Sequence, residues 1–314
     1  MNQQTLIDLL MKSGTDPVPA RADVIALTPL TRDDARAGMH RFLAALHEAD
    51  ICRHDRANLA DRGERSVVHL PDGARAVIYH ASGALQYVSG LEPFQAPWER
   101  LEETPVLVRQ LEQSAQRLDL GAWTGERGSL AFERLWQSKA RGSDRDGRLS
   151  LPLLVRATGA WRHSVGAIPV LGAASVALRL AGDGTVDALA LRIRQSDAET
   201  LDTAPIIEAE LAACQLAERL TSLLGKSKER MSGDVVQSAT MRFGYLDLGK
   251  RKAQRVLAPV FVAQIVLQHR LERQAYVLAV SATERPYLDL PLFGSEAPVV
   301  RSRGLHPECR DGAS

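Results

Sequence analysis

The stretch 203–283 constrains the fold most, because it joins one helical pattern to three strand patterns. Thr203 and Pro205 are typical of a helix start, where a hydroxyl caps free N–H groups and a proline sacrifices no hydrogen bond. Apolar residues then recur at helical spacing as far as Gly225, which predicts an amphipathic helix with one buried side. Its apolar positions are Ile206, Ala209, Ala213, Leu216, Ala217, Leu220, Leu223 and Leu224.

The three strand patterns follow this helix directly. Apolar and polar side chains alternate at 237–245 and again at 276–280, as in half-buried strands. The segment 256–267 is apolar on both sides apart from Gln264, which predicts a central strand covered on both faces. Pro259 has no N–H group to donate, so we expect a bulge or an unpaired position there. The short charged segments in between indicate hairpins, and therefore an antiparallel sheet.

The same order of elements occurs earlier in the chain. Thr104 and Pro105 begin a second predicted helix, and alternating strand patterns follow it between 130 and 193. A third version begins with a helix after Thr31 and continues with three short strands up to residue 88. We therefore predict an α+β fold built from repeated helix-plus-antiparallel-sheet units of cystatin-like form.

This repetition also sets the predicted domain boundaries. Residues 1–95 hold N-terminal helices and a short β meander, with a proline-rich connector at 16–29. The first helix-plus-sheet unit covers 96–200, and the second covers 201–286. Residues 287–314 contain several prolines and charges and are expected to form an extended tail.

Composition excludes several classes of partner and location. A formal net charge of +1 and 5% aromatic residues give no basis for binding nucleic acid. No apolar stretch reaches the ~20 residues that cross a bilayer, and no signal-peptide pattern begins the chain. Because the three cysteines are far apart and odd in number, they indicate a reducing cytoplasm. Cys214 fits a small buried hydrophobe better than a reactive thiol.

Two parts of the second half resemble a known family. Residues 164–172, followed by a strand pattern and by Gly-Asp-Gly at 182–184, are similar to the Gly-Ile-Pro-Val-x-Gly run of PepSY and fungalysin/thermolysin-propeptide (FTP) domains. Residues 243–245 and 256–260 resemble the later strand pair of those domains. Val260 or Phe261 stands here in place of the usual aromatic residue.

The resemblance covers roughly residues 104–286 and carries expectations for both fold and function. It implies a curved antiparallel sheet that holds a helix and binds or inhibits peptidases and other partners. It implies no catalytic residues. Such domains are usually secreted or tethered to membranes, which departs from the cytoplasmic location expected from the composition.

The motifs of common cofactor and catalytic sites are missing from the sequence. There is no Gly-x-Ser-x-Gly nucleophile motif and no Gly-x-Gly-x-x-Gly dinucleotide motif. Gly225-Lys226-Ser227 lacks the glycine that a phosphate loop needs at position 220, where Leu220 stands. No two histidines have the short spacing of a metal-ligand pair. We therefore predict neither a cofactor nor a metal site.

Four single residues are candidates for acid–base chemistry. Glu210 lies on the apolar side of its helix, where burial raises a carboxyl pKa; a solvated position at the edge is the alternative. His80 and His163 stand at strand ends, where ligand groups often converge; a surface position is the alternative. Tyr245 ends another predicted strand and is the fourth candidate.

The candidate ligand-binding residues are aromatic or basic side chains of the predicted sheets. Phe132 and Trp136 fall on the same side of an alternating pattern, with Glu133 and Leu135 on the other. Arginines on the polar sides of the strands form either a basic face for an acidic ligand or an ordinary solvated face. The candidates are Trp136, Trp161, Phe243 and Arg242.

Two functions remain open. The first is a non-catalytic binding module whose curved sheets bind a partner protein or peptide, with an exposed sheet edge taking up a strand. The second is a small-molecule enzyme of the cyclase or isomerase type, with a cavity for a hydrophobic molecule between helix and sheet. A cavity of roughly 300 Å³ or more, lined by the candidate aromatics, favours the second function. The sequence leaves oligomerisation and a role in a larger assembly open.

Overall fold

The computed structural model describes residues 2–14, 17–52, 59–173, 175–194, 196–225, 235–269 and 272–290. The predicted tail 287–314 lies outside the described residues from 291 onward, as does most of the Gly225-Lys226-Ser227 motif.

The described residues form an α+β fold, as predicted. The helices are α1 (Gln3–Ser13), α2 (Arg32–Glu48), α3 (Thr104–Arg117) and α4 (Ala209–Gly225), with short 3₁₀ helices at Pro71–Gly73 and Leu120–Trp123. The strands are β1 (Arg21–Leu27), β2 (Leu59–Asp61), β3 (Arg65–His69), β4 (Arg75–Tyr79), β5 (Leu85–Val88), β6 (Gly128–Ala140), β7 (Leu153–Val165), β8 (Ile168–Leu171), β9 (Val176–Leu180), β10 (Val186–Leu191), β11 (Ser196–Pro205), β12 (Val235–Leu246), β13 (Val256–Leu257), β14 (Pro259–His269) and β15 (Glu272–Ser281).

Most strands belong to one sheet of 12 strands. Its order is β15-β14-β12-β8-β7-β9-β10-β5-β4-β3-β2, and β6 pairs with the far side of β7. All its pairs are antiparallel except β8 with β12, which run parallel over a two-residue contact. A second sheet contains three strands in the order β11-β1-β13.

Helices α2 and α3 cover one part of the large sheet. A capping box between Thr31 and Asp34 begins α2, and its apolar side packs towards β4. Leu107 and Leu111 of α3 are fully buried over β7 and β9. These side chains join one hydrophobic core with the inward-facing residues of β4, β5, β7, β9 and β10.

Helices α1 and α4 cover the other part of the sheet. Leu6 and Leu10 of α1 pack with Leu216 and Leu220 of α4 in a second core, above β12, β14 and β15. Strand β14 lies between β12 and β15, so it has the partner on each side that was predicted, but its outer face is only partly covered, with Val262 and Val266 half-buried and Gln264 exposed. The cystatin-like repeat and the predicted domain boundaries stay predictions.

The predicted start of the helix in the stretch 203–225 is wrong. Thr203 and Pro205 end β11, and α4 begins only at Ala209. Strand β11 pairs with β1, with Asp23 opposite Thr203, and the Thr203 hydroxyl donates to an Asp23 carboxylate oxygen at 2.9 Å. The predicted connector 16–29 therefore contains a strand. Its partner lies about 180 residues away, which no local pattern reveals.

Pro259 marks a change of strand partner. Ala258 separates β13 from β14; β13 pairs with β1 of the small sheet, while β14 pairs with β12 of the large sheet. The expected irregularity at this proline is therefore the point where one chain segment passes between two sheets.

Candidate functional site

Strand β6 is an edge of the large sheet. Among the described strands it pairs with β7 alone, over most of its 13 residues. The sheet's other edges, β15 and β2, are shorter, at 10 and 3 residues. A long edge strand presents a row of unpaired backbone groups that can accept a further strand.

The register of β6 shifts between Phe132 and Arg134, so Glu133 has no residue opposite it. Beyond this bulge the side-chain alternation is reversed, because strand side chains repeat every two residues. Leu135 therefore joins Phe132 against the core, while Trp136 points outward and is 46% exposed. The predicted placement of Trp136 on the same face as Phe132 is wrong for this reason.

A groove of about 550 Å³ lies between α3 and β6. Its floor is apolar, formed by Leu130 and Phe132 of β6 and by Trp161 of β7. The rings of Phe132 and Trp161 meet edge to face, with centroids 5.3 Å apart. The other wall comes from α3 and the turn after it: Glu112, Ala115, Gln116, Asp119, Leu120 and Gly121.

Gly159 of β7 allows close packing of Trp161 and α3 beside the groove. A Cβ atom at this position would lie 2.9 Å from the Trp161 ring and 3.1 Å from Leu111 of α3. Because Gly159 has no side chain, Leu111 of α3 and the Trp161 ring can both pack closely over this position of β7. As α3 packs over β7 and β9, it leaves the inward face of β6 open beside it.

His163 lies close to this groove. It follows Trp161 by two residues on β7, so both point to the same face, and it pairs across the strands with Leu130. The ring is buried, and its Nε2 atom makes no hydrogen bond of good geometry with a described residue. Burial lowers the pKa of His163 to about 4, and a backbone contact with Thr124 offsets part of this decrease. The imidazole is therefore neutral at pH 7.

His163 makes the stability of the protein depend on pH. The unfolded chain takes up a proton near the ordinary pKa of 6.5, whereas the folded protein does so only near pH 4. Stability is therefore complete above pH 6.5 and is lost as pH falls towards 4. We expect this residue to cost about 2–3 kcal/mol of unfolding free energy between about pH 7.5 and about pH 4.5. Urea unfolding of wild type and His163→Gln at both pH values measures it; equal pH dependence in the two proteins would contradict it.

The remaining acid–base candidates lie away from the groove. Glu210 is exposed in the first turn of α4, so the burial that would suit it for acid–base chemistry does not occur. Tyr245 is buried and donates a hydrogen bond from its hydroxyl to the Asp23 backbone carbonyl, at 2.9 Å. Burial raises the pKa of Tyr245 to about 12. This tyrosine therefore ties β12 to the small sheet.

His80 lines a smaller pocket of about 190 Å³. Its Nδ1 atom lies 2.9 Å from the Gly63 carbonyl and must donate to it, so Nε2 accepts from the Ser66 hydroxyl at 2.8 Å. This is the spacing of a nucleophile and its base. However, Ser66 is only 6% exposed and does not line the pocket, so the pair links β3 to the end of β4.

The ligand-binding candidates do not converge on one place. Trp161 lines the groove, whereas Phe243 is buried against Phe261 in the core under α1 and α4. Arg242 is half exposed and lies 3.5 Å from the Glu133 carboxylate, which also accepts from Arg162 at 2.7 Å. The groove thus exceeds the predicted volume of 300 Å³ but contains only one of the expected aromatics.

Sequence reasoning missed the residues of the helix wall. Glu112, Ala115 and Gln116 recur at spacings of three and four, which places them on one side of α3, and Asp119 follows in the turn after the helix. That spacing is visible in the sequence, but nothing local assigns a function to the polar members. Only the gap between α3 and β6 makes them part of a site.

The described residues contain no group of three or more side chains able to ligate a metal. Their helices also include none that is both long and apolar enough to cross a membrane. The chain matches no family model, and a search of curated proteins gives no match.

Proposed function

We propose that this protein binds an extended peptide segment of a partner protein by strand addition to β6, with alternate side chains entering the α3–β6 groove. The observation that carries this proposal is the position of β6, the longest edge strand that the described residues leave unpaired on one side, beside the 550 Å³ groove. An added strand lies ~4.8 Å beyond β6, so its inward side chains continue the floor formed by Leu130 and Phe132.

The hairpin between β6 and β7 supports the same proposal. Leu149 and Leu151 are 65% and 89% exposed, and both lie in the segment that joins β6 to β7. Exposed apolar side chains that are grouped in this way are typical of surfaces that bind another protein. A partner on β6 would therefore find further apolar surface where the strand ends.

The resemblance to PepSY and FTP domains agrees with binding of a protein or peptide and stays a prediction. The cytoplasmic location, the absence of a nucleic-acid partner and the oligomeric state are likewise predictions from the sequence.

A bulky side chain in the groove should weaken peptide binding. Ala115 lines the groove from α3, so in Ala115→Trp the indole ring fills the space that peptide side chains need. We expect peptides selected from a random displayed library on the wild type to bind this variant at least tenfold more weakly, about 1.4 kcal/mol. Fluorescence anisotropy measures the affinity, and circular dichroism checks the fold.

Gln113→Trp is the matched control, because Gln113 is exposed on the same helix and does not line the groove. It should bind the selected peptides like the wild type. Hydrogen exchange locates the peptide: bound peptides should protect β6 amides. Selection of no peptide, or protection of β15 in place of β6, would rule the proposal out.

A small-molecule enzyme is the second candidate, favoured by His163. Its neutral, buried imidazole lies beside Leu130, whose side chain lines the groove. A small apolar compound that binds the groove without protecting β6 amides, and that needs His163 for turnover, would favour this function.

A further inference from the structure

The two walls of the α3–β6 groove differ in chemistry. The β6–β7 floor is apolar and aromatic, while Glu112 and Asp119 are the charged side chains among the described residues that line the groove. Both are exposed, and neither forms an ion pair with a described residue. The groove therefore carries two negative charges next to a hydrophobic surface.

We infer that the peptide bound in this groove carries arginine or lysine at alternate positions, facing α3. This inference rests on the proposed function and adds the class of ligand to it. A long basic side chain suits the groove, because its aliphatic part packs on Leu130 and Phe132 while its charged end reaches the carboxylates. A guanidinium above Phe132 or Trp161 also gains from the negative face of the aromatic ring.

The two carboxylates occupy different parts of the same wall. Glu112 lies on α3, whereas Asp119 lies two residues after the end of α3, where the backbone is left-handed, in the turn that also lines the groove. Side chains on one face of a strand repeat every ~6.8 Å, so an extended peptide presents successive inward side chains to this wall.

An acidic or neutral peptide lacks these interactions. An acidic side chain at the same positions faces two like charges, and a neutral one leaves both carboxylates unpaired. Because the carboxylates are partly solvated, their attraction for a basic ligand must weaken as salt is added. Charge and salt dependence therefore test the inference directly.

The test uses three fluorescein-labelled peptides of about 10 residues that alternate threonine with arginine, glutamine or glutamate. We expect the arginine peptide to bind wild type at least tenfold more tightly than the other two. Its affinity should fall by a similar factor in the Glu112→Gln/Asp119→Asn double variant, and should fall again when the salt is raised from about 50 to about 300 mM. Fluorescence anisotropy measures all three effects.

Arg109→Gln is the control variant. Arg109 is exposed one turn before Glu112 and does not line the groove, so this change should not weaken binding of the arginine peptide. Equal binding of the three peptides, tighter binding of the glutamate peptide, or full binding by the double variant would overturn the inference. If none of the three peptides binds wild type, the inference is also overturned. The library selection described above tests separately whether β6 binds peptides.

Discussion

Arg156→Met should lower the free energy of unfolding by about 3–5 kcal/mol, the cost of breaking a buried ion pair from one side. Arg156 is 5% exposed, and its Nε donates to the Asp187 carboxylate at 2.8 Å. Its other donors bind the backbone carbonyls of Glu92, Gln95 and Val155 at 2.8–2.9 Å. In the variant, the buried Asp187 carboxylate loses one of its two arginine partners. The three backbone carbonyl groups also lose the N–H donors that Arg156 supplies.

Arg179→Met is the matched control for this change. Arg179 contacts the same Asp187 carboxylate, at 2.6 Å, but its side chain is 41% exposed. An ion pair with one solvent-exposed partner contributes little to stability, so we expect the free energy of unfolding to fall by about 1 kcal/mol or less. Urea unfolding of both variants at neutral pH measures the difference. Equal losses would show that the burial of Arg156 does not determine its contribution.

The hydrogen bonds of Arg156 matter for the groove because they fix the connector that leads into α3. Glu92 and Gln95 belong to the irregular connector between β5 and α3, which lies against the ends of β7 and β10. The connector leads directly into α3. When Arg156 is lost, we expect hydrogen exchange in the connector and in the first turn of α3 to rise before the protein unfolds globally.

Gly182→Ala should destabilise the protein by about 3 kcal/mol through overpacking at the same connector. The Gly182 N–H donates to the Ala96 carbonyl at 2.8 Å. A Cβ atom at position 182 would lie 2.4 Å from the Pro97 carbonyl group and from the Trp98 nitrogen. Because these are backbone atoms, no side-chain rotation relieves the clash, and the connector must move off the turn between β9 and β10.

Gly225→Ala is the control for Gly182→Ala. Gly225 ends α4, does not have a positive φ, and a Cβ atom there would meet no atom of the described residues within 4 Å. Alanine is also the better helix former, so we expect no loss of stability. Thermal unfolding compares the two variants. A Gly182→Ala protein as stable as wild type would mean that residues 96–98 can shift at little cost.

The helices that could be predicted are those whose signals are local. Thr31 and Asp34 form the capping box of α2, and the apolar side of α3 includes Leu111, which the structure buries. The start of α4 could not be found in this way. Thr203 and Pro205 satisfy the local rules for a helix start, but this segment pairs with β1, about 180 residues away, and is therefore a strand.

The candidate site was less predictable than the fold. Trp161 was expected to contact a ligand and does line the groove, but the bulge at Glu133 turns Trp136 to the outside. A bulge depends on how one strand fits its neighbour, and the alternation of side chains within β6 does not contain that information. His163 was chosen for its place at a strand end, and its burial became visible only in the fold.

The sequence by itself determined the α+β class, the period of each helix and the central place of β14, because these follow from interactions between near neighbours and from the pattern of apolar residues. The tertiary structure alone decided that β1 pairs with β11, that β6 remains an edge, and that α3 stands apart from β6. These features depend on contacts between segments far apart in the chain. The groove exists because two such segments meet without filling the space between them.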